Sequence, residues 1–195
     1  MAQKGKLTTA DYLEIDEFNR LLKMLHLQEK YIWELYCTIS FCTALRISDV
    51  LTLKWKNIID TPTLTIQEKK TKKNRKININ NNIQKKIKSI YELVGSPDAE
   101  QLIFQNRKTN KAYSREQINR LLKQFKFDYK LKIGAFSTHT FRKTFGRYVY
   151  ESNNKSAESL ILLNTIFCHS SIEITKVYIG LRQSEIDEVF NSIKI

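Results

Sequence analysis

Apolar residues recur every three or four positions over most of the chain, and this spacing predicts amphipathic helices. The first of them begins at Asp16, and the second, from Tyr31 to Ala44, is apolar enough to be buried on all sides. Further helices are predicted over residues 46–53, 83–94, 115–129, 141–150, 157–167, 172–178 and 185–193. The chain is therefore expected to be mostly helical.

The pattern changes from helical to alternating near the middle of the chain. Two short alternating stretches, residues 64–66 and 77–79, flank the polar run KKTKKNRK, which predicts two strands joined by a basic loop. Residues 102–104 are compatible with a third strand or with an extended segment. The predicted fold class is α+β, mainly α with one small antiparallel β-sheet.

The composition is that of a folded domain. The 195 residues are 42% hydrophobic and include 5 Gly and 2 Pro, which argues against a disordered or turn-dense chain. We expect residues 1–12 to be a flexible tail or linker remnant and residues 13–195 to form one domain. The sequence shows neither a long apolar run nor a signal-peptide pattern, and its three cysteines form no CxxC pair, so we expect a cytoplasmic protein without membrane spans or disulfides.

The positive charge of the chain is concentrated in one segment. The formal net charge is +13, yet residues 1–60 hold 8 basic and 8 acidic side chains, whereas residues 61–152 hold 21 basic and 7 acidic ones. A local excess of this kind indicates a binding surface for a polyanion such as nucleic acid. The excess is densest at residues 69–76, where six of eight side chains are basic.

Four short stretches carry candidate chemistry: TALRISDVLTLKW around Arg46, the hairpin QEKKTKKNRKINI, STHTFRKTF, and FCHSSIEITKVYIG. Each is unremarkable alone, since an HxxR pair or a lysine-rich hairpin is common by chance. In this order, from about Leu13 to the C-terminus, they resemble the catalytic domain of the tyrosine recombinases, the phage integrase family. The resemblance implies the α+β fold shared with type IB topoisomerases and an enzyme that cleaves and rejoins DNA.

The residue types suit reaction at a phosphodiester, whose non-bridging oxygens gain negative charge during attack. Two guanidiniums, Arg46 and Arg142, can hold those oxygens with forked donors that are always charged. His139 and Arg142 are three residues apart on a predicted helix and so share one face. Ser137 or Thr138 is placed to cap that helix.

The resemblance also assigns roles within the reaction. Tyr178 would be the nucleophile, His139 would take its proton, and His169 would donate a hydrogen bond to a phosphate oxygen. Lys70 would protonate the leaving 5′-oxygen, although Lys69, Lys72 and Lys73 remain alternatives. Asp49 would orient the site without reacting. The product would be a 3′-phosphotyrosyl ester, formed with no ATP, metal or other cofactor.

The expected partner is double-stranded DNA with specific core sites. Phosphate contacts are predicted for the basic side chains of the hairpin, namely Lys69, Lys72, Lys73, Arg75 and Lys76. By resemblance, we expect a monomer in isolation and a homo-tetramer on DNA. The last helix, about residues 183–193, carries Ile186, Val189, Phe190 and Ile193 on one stripe, which would pack on its own core or on a neighbouring protomer.

Several alternatives remain open at the level of sequence. Cys168 stands where relatives usually have Gly, and a few extra residues occur near 151–159. The helical core-binding domain that most relatives carry is missing, so the chain would be an excised domain or a naturally short member of bacterial, phage or mobile-element origin. The leading function is recombination for a mobile element or DNA inversion. The alternatives are a topoisomerase-like nicking and closing enzyme and a DNA-binding protein with a decayed site.

Overall fold

A computed structural model describes residues 10–106, 108–181 and 190–193 of the chain. It is mostly helical with one two-stranded antiparallel sheet, as the sequence predicts. The elements are α1 (Ile15–Leu27), α2 (Tyr31–Thr43), α3 (Ile47–Val50), a 3-10 turn (Trp55–Asn57), β1 (Thr63–Gln67), β2 (Asn74–Asn78), α4 (Asn81–Leu93), α5 (Arg115–Asp128), α6 (Thr140–Ser152), α7 (Ala157–Phe167) and α8 (Ile172–Tyr178).

Helix α2 forms the centre of the larger core. Its sequence is apolar on nearly every side, and Leu35, Tyr36 and Ile39 are completely or almost completely buried. Helices α1, α4 and α6 pack around it. The exception is Glu34, a buried carboxylate that is neutralised by Lys86 at 2.6 Å and contacted by His26 at 2.8 Å. A helix this apolar is stable because tertiary packing covers most of its surface.

Short polar side chains begin four of the helices. The side chains of Asn80, Ser114, Ser156 and Ser171 each accept a hydrogen bond from a backbone N–H in the first turn of α4, α5, α7 and α8. These caps satisfy amide groups that have no partner within the helix. Ser156 and Ser171 thus determine where α7 and α8 begin, and α8 ends at Tyr178.

The hairpin alternates as predicted. Leu64 lies opposite Ile77, and Ile66 lies opposite Arg75, so these four side chains share the inner face of the sheet. Leu64 is fully buried, whereas Lys76 and its partner Thr65 face solvent. The turn that joins the strands carries the lysine run.

A smaller core lies beneath α6, α7 and α8. It contains Leu163, Phe167, Tyr178 and Ile179, all 8% exposed or less. Helix α6 approaches this core closely because residue 146 is Gly, whose missing side chain leaves room for Phe167. No single helix in the described part of the chain is long and apolar enough to cross a membrane; α7 and α8 pass that test only as a pair bent by 90°.

The structure differs from the sequence-based elements in three places. The helix predicted over 46–53 is only four residues long; beyond it, Lys54 pairs with Leu102 and residues 55–57 form a 3-10 turn. Residues 102–104 add no strand to the sheet; single bridges at Leu102 and Gln105 hold this region extended. Of the predicted C-terminal stripe, Ile186 and Val189 lie outside the described residues.

Residues 10–13 form a strap across α6. Lys143 donates to the Ala10 carbonyl at 2.5 Å, and the Leu13 amide donates to the Thr144 hydroxyl at 2.9 Å. Asp11 is joined to Ala135 by a bond in each direction. The strap therefore connects the start of the described chain to the helix that carries Arg142.

Replacing Gly146 with Ala should destabilise the protein. The added Cβ would lie 2.5 Å from Ile179 Cγ2 and 2.9 Å from Phe167 Cζ. We expect a loss of about 1–3 kcal/mol in the free energy of unfolding from overpacking, which outweighs the helix propensity of Ala, worth about 1 kcal/mol. Urea unfolding monitored by circular dichroism measures this change. An unchanged or higher midpoint would show that α6 is free to shift away from Phe167.

Candidate active site

Two arginines from distant parts of the chain meet at one carbonyl oxygen. Arg46, immediately before α3, donates Nη2 to the Phe167 carbonyl at 3.1 Å, and Arg142, in α6, donates Nη2 to the same oxygen at 2.9 Å. Arg142 also donates Nη1 to the Ala44 carbonyl and stacks 4.5 Å above the Phe167 ring. It is only 4% exposed, so its orientation is fixed. Burial lowers its pKa to about 10, which leaves it charged at neutral pH.

The ends of two helices supply the carbonyls that hold these guanidiniums. Helix α2 ends at Ala44 and α7 ends at Cys168, and both residues adopt left-handed backbone conformations with φ of 48° and 51°. A third guanidinium, that of Arg75, bonds the Thr43 carbonyl at 2.9 Å. The C-terminal end of a helix carries partial negative charge and unpaired carbonyls, so it attracts cations. Neither Ala nor Cys adopts this conformation without strain, which indicates that packing enforces both turns.

A buried carboxylate connects two of the three guanidiniums. Glu68, at the end of β1, is 1% exposed; its Oε2 lies 2.6 Å from Arg46 Nη1 and its Oε1 lies 3.3 Å from Arg75 Nη1. Thr71 also donates its hydroxyl to Oε2 at 2.8 Å. Burial alone would raise the pKa of Glu68, but the Thr71 hydrogen bond and the Arg46 charge outweigh it and lower that pKa. The carboxylate is therefore ionised at neutral pH.

The hairpin turn is anchored beside this cluster. Asp49, fully buried, accepts the backbone N–H of Lys69 at 2.9 Å, and its other oxygen, Oδ2, has no hydrogen-bond partner among the described residues. Lys70 follows on the turn with its side chain exposed, and its charge contributes to lowering the pKa of His169. The remaining predicted DNA-binding lysines, Lys69, Lys72, Lys73 and Lys76, are likewise exposed.

Tyr178 ends α8 and packs against two other rings. Its ring centroid lies 5.0 Å from that of His169 and 5.3 Å from that of Phe167. Burial raises the pKa of its hydroxyl, and the charges of Arg142 and Arg46 offset part of this rise. The hydroxyl makes no hydrogen bond of good geometry within the described residues, although Arg142 is near enough to lower its pKa. The Tyr178 hydroxyl is thus buried beside Arg142, with the rings of His169 and Phe167 packed against its own ring.

The surroundings of His169 indicate which of its ring nitrogens carries the proton. Thr175 Oγ1 accepts from Asn164 Nδ2 at 3.2 Å and lies 3.0 Å from His169 Nδ1. The Thr175 proton has a second acceptor, the Ser171 carbonyl, only at 3.4 Å. The shorter contact favours donation from Thr175 to Nδ1, which assigns the ring proton to Nε2. In this tautomer His169 can donate to an anion from Nε2.

His139 lies at the N-terminus of α6. It is itself the N-cap residue of that helix and makes no side-chain cap. The Ser137 hydroxyl instead accepts the His139 backbone N–H at 3.3 Å, and Thr138 provides no cap. Burial and the adjacent charges of Arg142 and Lys143 lower the pKa of His139 to about 4. Its imidazole is therefore neutral at pH 7 and able to accept a proton.

The structure brings the predicted Arg46, Arg142, His169 and Tyr178 into one cluster. His139 lies close enough to it for both arginine charges to lower its pKa. Lys70 is on the adjoining turn, whereas Arg75 does not join the exposed lysines because it points inward to Glu68. The sequence-based prediction missed Glu68, Arg75 as a member of the cluster, and Thr175. One available signal was strand alternation, which places Arg75 on the same face as Ile77.

The two partly buried histidines, His139 and His169, should make the free protein less stable as the pH falls. The pKa of each is lowered to about 4, below its ordinary value of 6.5, by burial first and then by neighbouring arginine charges. Between these values the unfolded chain binds more protons, so stability present at neutral pH is lost as the pH falls from 6.5 toward 4. Each histidine contributes a slope below about 1.4 kcal/mol per pH unit, reduced by solvent screening because both rings are partly exposed.

Urea midpoints measured across this range check the expectation. Replacing both His139 and His169 with Gln should flatten the slope, and each single variant should remove part of it. An equally steep slope in the double variant would assign the pH dependence to other groups.

Comparison with known proteins agrees with this geometry. Residues 11–185 match the model of the phage integrase family. The "Probable integrase/recombinase YoeC" of Bacillus subtilis (strain 168) is 37% identical over 139 residues, which cover 71% of this chain and 72% of that protein.

Solved structures share the fold at lower identity. XerA recombinase superposes with a TM-score of 0.71 at 17% identity, covering 98% of this chain and 68% of that one. XerH bound to a palindromic difH substrate superposes with a TM-score of 0.70 at 18% identity. The match covers 95% of this chain and 54% of XerH, so the chain spans about half of XerH. The catalytic domain of bacteriophage HP1 integrase superposes with a TM-score of 0.57 at 18% identity, and the match covers 94% of this chain and 95% of that domain. The chain thus belongs to the phage integrase family and is the catalytic domain of a tyrosine recombinase, a site-specific enzyme that cleaves and rejoins DNA.

Proposed function

We propose that Tyr178 is the nucleophile that cleaves one DNA strand and that the surrounding cluster binds the scissile phosphate. The observation that supports this assignment is the meeting of Arg46 and Arg142 at the Phe167 carbonyl, because the ring of the same residue lies 5.3 Å from the Tyr178 ring. The paired guanidiniums are preorganised before any phosphate is bound. Donors that need no rearrangement stabilise developing charge most effectively.

In the proposed step, Tyr178 Oη attacks phosphorus and the bond from phosphorus to the 5′-oxygen breaks. Arg46 and Arg142 donate to the two non-bridging oxygens as their charge increases. The product is a 3′-phosphotyrosyl ester and a free 5′-hydroxyl. Because the ester conserves the energy of the broken bond, a 5′-hydroxyl from another strand can reverse the step and join the new ends.

Two protons must move during this step. The Tyr178 phenol is protonated in the free protein because its pKa is raised by burial, so its proton has to pass to a base. His139 is neutral at pH 7 and takes that proton in our proposal. His169 donates from Nε2 to a phosphate oxygen, and Lys70 donates the proton that the 5′-oxygen needs to leave.

The exposed lysines of the hairpin form the proposed surface for double-stranded DNA. Lys69, Lys72, Lys73 and Lys76 project into solvent beside the site, where phosphates of a duplex would lie if Tyr178 reached the scissile one. Arg75 was predicted to join them, but its bonds to Glu68 and Thr43 support a role inside the cluster. Asp49 serves the surface indirectly, by fixing the backbone of Lys69.

The biological role we propose is recombination for a mobile element or DNA inversion, carried out at specific core sites in the cytoplasm of a bacterium. YoeC is described as a probable integrase or recombinase, which supports this role over nicking and closing of the topoisomerase type. The intact set of Arg46, His139, Arg142, His169 and Tyr178 also argues against a decayed enzyme that only binds DNA.

We further propose a monomer in isolation that assembles as a homo-tetramer on DNA. Ile161, Leu162 and Ile174 form an exposed apolar surface on α7 and α8, between 39% and 56% exposed. Phe190 and Ile193, near the end of the chain, are 69% and 61% exposed and so are not packed on their own core. Exchange of C-terminal segments between protomers would cover both surfaces.

The nucleophile is tested with a nicked suicide substrate, which traps the covalent adduct because the cleaved end is lost. Wild type should form a protein–DNA adduct, and Tyr178→Phe should form none, since it lacks the attacking oxygen. Tyr148→Phe, at an exposed position on α6, is a matched control and should react like wild type. Adduct formation by Tyr178→Phe on a denaturing gel would assign the nucleophile elsewhere.

The role of Lys70 is tested by changing the leaving group. Lys70→Ala should cleave normal DNA about 100-fold or more slowly, the usual loss for a general acid. A 5′-phosphorothiolate should restore most of the rate because a thiolate leaves without being protonated. Lys23→Ala, at an exposed position on α1 away from the hairpin, is the control and should show neither loss nor rescue of this kind. Failure of the sulfur substrate to rescue Lys70→Ala would move the acid role to another residue.

A further inference from the structure

Glu68 is the one acidic residue in the basic run from residue 68 to residue 76, yet it is also the most buried. An ionised carboxylate with 1% exposure is costly unless charged or polar partners compensate its lost hydration. Each oxygen has at least one donor: Arg46 and Thr71 donate to Oε2, and Arg75 donates to Oε1. Three partners on one buried carboxylate indicate a defined structural task.

The contacts at Oε2 link two parts of the proposed reaction. One donor is the guanidinium that would hold a phosphate oxygen, and the other is the hydroxyl of Thr71, which directly follows Lys70. The backbone N–H of Lys72 donates to the Glu68 carbonyl at 2.9 Å and closes the same turn. A single side chain thus sets the position of both Arg46 and the turn that presents Lys70.

Glu68 holds Arg46 without blocking it. A guanidinium has five N–H donors, and in Arg46 one bond goes to Glu68 from Nη1 and one to Phe167 from Nη2. The side chain is 18% exposed, so it is not sealed from solvent. A bond at each terminal nitrogen fixes the plane of the fork, while its remaining donors stay available for a phosphate.

We propose that Glu68 is a positioning residue for DNA cleavage, which orients Arg46 toward the scissile phosphate and, through Thr71, holds the turn that carries Lys70. This inference rests on the proposed function of the same site. A glutamine could not replace it, because its NH₂ group would face the guanidinium of Arg46 or that of Arg75, and a guanidinium can only donate.

The first test compares Glu68→Gln with wild type on the suicide substrate. We expect adduct formation to slow by about 10- to 100-fold, the loss that follows a misplacement of roughly 1 Å at a reacting centre. DNA affinity at fixed salt should be unchanged or tighter, because a negative charge has been removed near the phosphate. The matched control is Glu34→Gln, which also removes a carboxylate that is 3% exposed but lies among His26 and Lys86, outside the site. It should cleave like wild type.

The second test separates the two proposed functions of Glu68, which are to orient Arg46 and to hold, through Thr71, the turn that carries Lys70. Thr71→Val removes the hydroxyl and should slow cleavage of normal DNA, whereas Thr71→Ser keeps the hydroxyl and should not. A 5′-phosphorothiolate should restore the rate of Thr71→Val, because only the placement of Lys70 is disturbed. The same substrate should rescue Glu68→Gln incompletely, because the Arg46 defect remains.

The outcomes are separable from the proposed function. Absence of an adduct with wild type would refute the function itself. If wild type reacts and Glu68→Gln cleaves within about threefold of it, Glu68 only balances charge and the positioning role is wrong. If Glu68→Gln lost DNA affinity and cleavage rate by the same factor, the positioning role would also be wrong, because the slower cleavage would follow from weaker DNA binding alone. If Glu68→Gln does not fold, as judged by its thermal transition, Thr71→Val decides: cleavage at the wild-type rate refutes the inference, and slow cleavage rescued by sulfur supports it.

Discussion

The site depends on keeping three guanidiniums together in the absence of a phosphate. Arg46, Arg75 and Arg142 repel one another, and burial removes the water that would screen them. The protein compensates with the carbonyls that terminate α2 and α7 and with the Glu68 carboxylate. Both helices therefore have to end at the site, and this requirement explains why Ala44 and Cys168 adopt left-handed conformations that neither residue prefers.

Most of the fold could be predicted because its elements depend on local patterns. The apolar run of α2 and the alternation on either side of KKTKKNRK gave the right element types with boundaries correct to within a few residues. Where the prediction failed, distant partners decided the outcome. Helix α3 ends at Val50, and Lys54 beyond it pairs with Leu102, 48 residues away in sequence; no local pattern contains that pairing.

The residues that resemble a family motif could be identified from sequence, whereas those that support them could not. Glu68 looks like one acid in a solvated basic loop, and only the folded chain shows that Arg46 and Arg75 enclose it. In the sequence Thr175 is one threonine in a predicted helix, and only the folded chain shows that its hydroxyl contacts Asn164 and His169. For Arg75, the alternation of the strand predicts the inner face of the sheet, where the residue lies, whereas its charge suggests the solvent-exposed face.

The strap formed by residues 10–13 has a mechanical consequence. It is fastened to α6 at Lys143 and Thr144, which directly follow Arg142, and Lys143 also lies 5.4 Å from the centre of the Tyr178 ring. A force applied to the chain at Ala10 would therefore be transmitted to α6, the helix that holds Arg142, and to Lys143 beside the Tyr178 ring. The strap thus couples the backbone at Ala10 mechanically to the residues that position Arg142 and Tyr178.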